Sequence, residues 1–165
     1  MPDFRRLSKD MEELNGIPDT KLEYIDENDP TRFYIYVKVN KGIYSKHYYK
    51  FLVEIGENWP FEAPRVRIRE PIWHPNIVEY DPNIPESGSI CVSPITHNYN
   101  PSLRLSVLVE ALKYLLDESS ITASIARNPK AAKQYSDDRD TFYAKVKELV
   151  DKVRENDPSS SEEND

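Results

Sequence analysis

A single cysteine, four glycines and the lack of any long apolar run set the first limits on this chain of 165 residues. One cysteine cannot close an internal disulfide, which predicts a reducing compartment, cytoplasmic or nuclear. Four glycines leave little for a phosphate-cradling loop. Neither Gly-x-Gly-x-x-Gly nor Gly-Lys-Ser/Thr occurs, so nucleotide chemistry has no visible seat. No stretch approaches the ~20 apolar residues that span a bilayer, and no apolar run follows the charged N-terminus as a leader would require. The formal net charge is −7, but five acids and no Lys or Arg lie between Glu155 and Asp165. The body is therefore close to neutral and carries no basic stripe, which argues against nucleic acid as a partner.

What is present reads as one domain over residues 1–154, followed by an acidic tail over 155–165. The tail has too few apolar side chains to order itself; it serves as a solvating segment or as a partner-binding one. Residues 3–15 form an amphipathic pattern, with Phe4, Leu7, Met11 and Leu14 on one face and Asp3 as N-cap. Four alternating segments follow. They are carried by Leu22 and Tyr24, then Phe33 to Val39, then Tyr49 to Ile55, then Val66 and Ile68, with Arg65, Arg67 and Arg69 on the opposite face of the last. Period-two alternation predicts an antiparallel sheet with one buried face, and short connections at Glu27–Pro30 and Asn40–Gly42 predict a four-stranded meander.

From Glu70 to Leu103 no period holds, and six prolines exclude a long helix. Interspersed Trp73, Ile77, Tyr80, Ile84, Ile90 and Ile95 should pin this irregular segment to the core. A central helix follows around Leu105 to Leu116, then a shorter one at Pro129 to Tyr135 and a last one from Ser136 burying Phe142, Val146, Leu149, Val150 and Val153. The fold class expected is α+β: one leading helix, a meander, an irregular active-site segment, then a central helix and two C-terminal helices.

Cys91 lies within that irregular segment and is the one strong nucleophile of the chain. Three readings of it are a small buried apolar side chain, a zinc ligand with His47, His74 and His97, and a thiol that carries an acyl group. No Cys-x-x-Cys or His-x-x-x-His spacing supports zinc. A protease-type Cys–His–Asn relay is strained by His74 and Asn76 being only two positions apart.

The run Ile72-Trp73-His74-Pro75-Asn76-Ile77, followed by Gly88-Ser89-Ile90-Cys91-Val92-Ser93, resembles the ubiquitin-conjugating enzymes. Trp59-Pro60-Phe61-Glu62-Ala63-Pro64-Arg65-Val66 and Tyr99-Asn100-Pro101-Ser102-Leu103 are similar to two further motifs of that family, and the order of elements matches over about residues 5 to 154. The resemblance implies a transferase that receives the C-terminus of ubiquitin or a ubiquitin-like modifier as a thioester on Cys91. An activating enzyme supplies it, and a substrate lysine accepts it, usually with a RING-type or other ligase. No cofactor is implied, ATP being used by the activating enzyme. Asn76 would donate to the oxyanion or brace the loop that carries Cys91, whereas His74, Pro75 and Tyr99 would be structural. Ser124 falls where the family commonly has an acid or serine that orients the incoming amine; it would hydrogen-bond that amine, take a phosphate to supply charge, or simply cap a helix. The ligase-facing surface would comprise Arg5, Arg6, Lys9, Phe61, Pro101 and Ser102, with Phe61 either an exposed anchor or part of the core.

Two departures stand out. Asn76 and Cys91 are fifteen positions apart, nearly twice the separation usual in the family, so Glu79–Glu86 must loop out; Asn83, eight positions before Cys91, is the rival for the asparagine's role. Tyr99 stands where many members have Trp, and Ala63 where they have Pro. As to the modifier, Ser8–Asn15 and Lys41-Gly42-Ile43-Tyr44 are similar to the neddylation branch. The Trp-Pro-Phe turn is closer to the ubiquitin branch, and the long N-terminal extension of neddylation members is missing before Asp3. The alternative to an enzyme is an inactive scaffold of the same fold.

Overall fold

The computed structural model describes residues 1–122 and 126–156. Helix α1 (Phe4–Leu14) opens on Asp3, whose carboxylate accepts the Arg6 N–H at 3.1 Å. Leu7, Met11 and Leu14 are buried along one stripe. Phe4, expected on the buried face, is 42% exposed, and Asp10, on the other flank, is only 1% exposed. Asp10 lies on the flank that meets the chain leading into α2, where its carboxylate accepts the Leu105 N–H at 3.2 Å.

Strands β1 (Thr20–Asp26), β2 (Asp29–Val37), β3 (Tyr49–Glu54) and β4 (Arg65–Ile68) form one antiparallel sheet in sequence order. Register pairs Phe33 with Val53, Ile35 with Phe51, Val53 with Val66 and Phe51 with Ile68, which gathers the inward side chains into one apolar layer. The β1–β2 turn is tighter than expected, since Asp29 and Pro30 already belong to β2 and the Asn28 N–H is held by Asp26 Oδ1 at 2.9 Å. The β2–β3 connection is longer than the expected Asn40–Gly42 turn and occupies residues 38–48. Within it Tyr44 is fully buried and donates its hydroxyl to the Trp73 carbonyl at 2.5 Å.

Helix α2 (Ser106–Leu115) crosses the core with Leu108, Val109, Ala111, Leu112 and Leu115 buried. Helix α3 (Pro129–Asp137) is capped by Asn128, and α4 (Arg139–Glu155) by Asp138. The last helix was expected from Ser136. Asp138 sets the true boundary, because it takes a non-helical conformation and accepts the Thr141 N–H and hydroxyl at 3.3 and 2.6 Å. Asn156 closes α4, and the rest of the acidic tail lies outside the described residues.

The irregular segment is tied down residue by residue. Residues 76–78 pair antiparallel with 89–91: Cys91 donates its N–H to the Asn76 carbonyl at 3.1 Å and Val78 to that of Ser89 at 2.9 Å. Ile77 and Ile90, between these bonds, are buried. The ribbon is joined to the β4 edge by the Ile68 N–H, which reaches the Gly88 carbonyl at 2.9 Å. Gly88 is needed there: its φ is +79°, and a Cβ would stand 2.3 Å from the Ile68 carbonyl oxygen. His74 is fully buried. One ring nitrogen, Nε2, meets the Leu115 carbonyl at 2.8 Å, while Nδ1 meets the Asn76 N–H at 2.9 Å. A carbonyl accepts and an N–H donates, so the ring is neutral with its proton on Nε2. Burial pushes its pKa down to about 4, against the opposing effect of the Leu115 bond.

Two stability measurements check this account. Gly88→Ala combines left-handed strain with a backbone clash and should cost about 2–4 kcal/mol. Gly42→Ala, also at positive φ but with nothing within 4 Å, should cost only about 1 kcal/mol. Urea midpoints distinguish the two. For His74 the folded pKa of about 4 lies below the unfolded value of 6.5. Its contribution is therefore complete above pH 6.5 and is lost as the pH falls through about 4, by about 3 kcal/mol in all. Over that window His74→Gln should show a correspondingly shallower pH dependence of stability than the parent.

Candidate active site

Cys91 is partly exposed at the end of the 89–91 strand, between buried Ile90 and Val92. A tight turn follows, in which the Thr96 hydroxyl accepts the Val92 N–H at 2.9 Å and the Thr96 N–H returns to the Val92 carbonyl at 2.9 Å. The sulfur is thus carried on a backbone anchored on both sides, with a face open to a partner. That geometry excludes the reading of Cys91 as a small side chain sealed in the core.

Asn76 sits across the ribbon from Cys91 and is buried. Its amide engages the backbone of Thr122 at both ends: Nδ2 donates to the carbonyl at 3.1 Å and Oδ1 accepts the N–H at 3.2 Å. Pro75 holds the other end of the same stretch, its carbonyl accepting the N–H groups of Arg127 and Asn128 at 2.8 and 3.0 Å. His74 reaches the end of α2 at Leu115. Three consecutive residues therefore hold Leu115 at the end of α2, Thr122, and Arg127 with Asn128 before α3, on the stretch that pairs with Cys91. Ser124, the expected amine-orienting hydroxyl, lies outside the described residues.

The extra residues before Cys91 form the loop of the ribbon and leave its ends in register. Asn83 lies in the exposed part of that loop, its N–H bound by Asp81 Oδ1 at 2.9 Å. The loop is held to β4 by side chains read from sequence only as an outward face. Arg67 and Arg69 donate to the Pro85 carbonyl at 2.9 and 3.2 Å, and Arg69 also to that of Ser87 at 3.0 Å. Tyr80 packs under the Arg69 guanidinium at 4.9 Å. Ile84, expected to be pinned to the core, is instead 51% exposed.

The three histidines do not join Cys91. His47 is bound to Glu70 at 2.9 Å, His74 has both ring nitrogens engaged, and His97 is exposed. Among the described residues no group of three or more His, Cys, Asp or Glu is placed to hold a metal.

The expected ligase-facing elements do come together. The Asp3 N–H meets the Trp59 carbonyl at 3.2 Å, and the Tyr99 hydroxyl donates to the Pro60 carbonyl at 2.8 Å. Phe61, next in the chain, is 80% exposed and so is not a core residue. Arg5, Lys9 and Ser102 line a surface cleft of about 230 Å³ together with Arg6, Asp10 and Arg104. Arg6 has an internal task as well. It donates to the carbonyls of Pro101 and Leu103 and lies 3.9 Å from buried Asp10, so it binds α1 to the Pro101 loop. Asp10 and Thr122 are the contributors that the sequence reading missed. Asp10 interrupts an apolar stripe at a helical position, which was a usable signal. Thr122 acts through its backbone and gave none.

Comparison with known proteins agrees with this arrangement. The ubiquitin-conjugating enzyme family model matches residues 6–150. Curated relatives include the Nedd8-conjugating enzyme UbcE2M of Drosophila melanogaster, 29% identical over 88% of this chain and 75% of the relative. The NEDD8-conjugating enzyme UBC12 of Kluyveromyces lactis is 30% identical over 88% and 74%. Among solved structures, the E2 domain of a Toxoplasma gondii ubiquitin-conjugating enzyme superposes with a TM-score of 0.76 at 18% identity, covering 90% of this chain and 97% of that one. Among the described residues no helix is long and apolar enough to cross a membrane. The chain belongs to the ubiquitin-conjugating enzyme family, as a transferase of the ubiquitin-like conjugation pathway.

Proposed function

We propose that Cys91 carries the C-terminal carboxyl group of a ubiquitin-like modifier as a thioester and transfers it to a substrate lysine. The observation behind this reading is a partly exposed thiol on a doubly anchored strand, directly across from the buried Asn76. In the loading step the Cys91 thiolate attacks the carbonyl carbon of the thioester on the activating enzyme. The new C–S bond forms, the old one breaks, and the activating enzyme's thiolate leaves. In the transfer step a lysine amine attacks the same carbon, the bond to Cys91 breaks, and the amine gives up its proton to solvent. Exchange between thioesters is nearly balanced and amide formation is downhill, so the chemistry needs no cofactor; ATP is used upstream. What the fold must supply is position. Asn76 supports that by bracing Thr122, and Ser124 would hydrogen-bond the incoming amine.

NEDD8 is the modifier this reading favours, because the relatives bearing that name span most of this chain. Partners are then an activating enzyme, a RING-type or other ligase, and substrate lysines. Phe61 with Arg5, Lys9, Pro101 and Ser102 forms the ligase-facing surface: an exposed aromatic anchor with a charged rim. The setting proposed is cytoplasm or nucleus, where thiols stay reduced.

Incubation with activating enzyme, ATP and tagged NEDD8 or tagged ubiquitin, in parallel, tests both the chemistry and the choice of modifier. The expected product is a 1:1 adduct with NEDD8 that reductant removes. Cys91→Ser should replace it by an oxygen ester that survives reductant, and Cys91→Ala should give nothing. If neither modifier, each with its own activating enzyme, forms an adduct, the chain is a scaffold rather than a carrier. A second measurement addresses the ligase surface. Phe61→Ala should lower ligase-stimulated discharge by about tenfold or more, the loss expected of a central anchor. Its thermal midpoint should not move, because the side chain is 80% exposed and packs into no core.

A further inference from the structure

The cleft of about 230 Å³ between α1 and the Pro101 loop gathers cations around a serine. Arg5, Arg6, Lys9 and Arg104 line it together with Ser102, against the carboxylates of Asp3 and Asp10. Glu13, beyond the lining, pairs with Arg104 at 2.6 Å and adds a third acid. The cations outnumber the acids even with every carboxylate counted at full charge. Arg6 is engaged internally, on the carbonyls of Pro101 and Leu103 and beside Asp10. Arg5 and Lys9 are exposed, make no ion pair among the described residues, and repel each other one turn apart on α1. Ser102 is presented to these cations on a fixed turn. Asn100 Oδ1 accepts its N–H at 2.9 Å and its hydroxyl at 2.8 Å, the Leu103 N–H returns to the Asn100 carbonyl at 3.0 Å, and Arg6 holds the carbonyls on either side. The serine is exposed, yet its backbone is already ordered, so a charged group placed on it loses little further conformational entropy on meeting the cations.

We infer that Ser102 is a phosphorylation site whose phosphate docks in this cleft on Arg5, Lys9 and Arg104 and withdraws them from the ligase. A serine/threonine protein kinase supplies the group from ATP. The bond between Oγ and the γ-phosphorus forms, the bond from that phosphorus to the ADP oxygen breaks, and the hydroxyl proton passes to solvent. The hydroxyl's bond to Asn100 is lost, but the Ser102 N–H keeps its own and preserves the turn. Near pH 7 the phosphate carries about −1.5 to −2 charges and offers three strong acceptor oxygens, which opposite a cluster of cations form charge-assisted hydrogen bonds. Once docked, it occupies the basic rim beside Phe61 and replaces it with an anionic one. The effect on the ligase rests on the function proposed above; the docking itself does not.

The test uses the full chain with phosphoserine installed at position 102 during translation, beside the unmodified chain. Titrated by phosphorus NMR, the folded phosphate should show its second pKa at least about half a unit below the value of about 6 that the same chain gives in urea, because adjacent cations favour the dianion. Lys9→Gln combined with Arg104→Gln, both at exposed positions, should remove most of that shift. After loading, the phosphorylated chain should lose ligase-stimulated discharge by about tenfold or more, while discharge to free lysine without ligase stays within about twofold. The inference is overturned by a phosphate that titrates as it does in urea, by a shift that survives both substitutions, or by ligase-stimulated discharge that the phosphate leaves unchanged. Failure of the unmodified chain to load would instead overturn the function proposed for Cys91, and the titration alone then decides the docking.

Discussion

The hydrogen bonds of His74, Pro75 and Asn76 tie together parts of the molecule that share no regular secondary structure. His74 holds the end of α2, Asn76 holds Thr122, and Pro75 holds the approach to α3, while the Asn76 carbonyl fixes the Cys91 N–H. All three residues are buried, so each polar group must be paired, and breaking any one bond leaves a buried donor or acceptor at a cost of about 1–3 kcal/mol. The imidazole is suited to its place because, when neutral, it both donates and accepts. Protonation would turn Nδ1 into a second donor facing the Asn76 N–H, so the same contact that builds the site also keeps the ring neutral. Such a ring positions other groups and does not exchange protons with a substrate. In the function proposed for this chain, the chemistry is then left to the Cys91 thiol and to the geometry around it.

A second, separate knot arranges the surface on which Phe61 is displayed. Asp10 is nearly inaccessible, and a buried carboxylate is tolerated only when it is paired. It accepts the Leu105 N–H at the start of α2, where the helix dipole favours negative charge, and stands beside the Arg6 guanidinium. Arg6 in turn fills the carbonyls of Pro101 and Leu103 and lies 5.2 Å over the Trp59 ring. One cation thus joins α1, the loop before Phe61 and the loop of Pro101. The three elements are thereby tied to one another, and the exposed Phe61 projects from them.

Much of this was legible from the residues, and the parts that were not share a cause. Alternation along Phe33–Val37 and Tyr49–Val53 defines the inward face of the sheet because both strands lie between neighbours and only one face is covered. The helix boundaries slipped where a capping carboxylate overrides an apolar pattern, as Asp138 does in separating Ser136 from α4. Phe4 was misjudged and the burial of Asp10 missed because a stripe of apolar spacing says which side is central, not which flank meets another element. The motif around Cys91 named the family, yet the work of Asn76 is visible only in its two bonds to a backbone far along the chain. Backbone partners such as Thr122 and Pro85 carry no side-chain signature. Arg67 and Arg69 looked like a solvated face because the loop they hold is an irregular stretch with no period to read.

That loop also explains how fifteen positions can separate Asn76 from Cys91 while the two still face each other across the ribbon. In an antiparallel ribbon the residues facing each other are set by the pairing at its base, and added residues at the closed end leave that register alone. Lengthening a loop costs entropy only logarithmically, so a few extra residues are a small charge against stability. The danger is slippage, since a shift of one position would turn Cys91 inward and Ile90 outward. Three features oppose it. Ile77 and Ile90 are both buried and would each have to leave the core. Gly88 fits against Ile68 only at its own position in the register, because no other residue of the strand lacks a Cβ. Arg67 of β4 and Arg69 just beyond it grip the loop through Pro85 and Ser87. The insertion is therefore accommodated by the sheet edge rather than by the site, and the thiol keeps the orientation that its base pairing dictates.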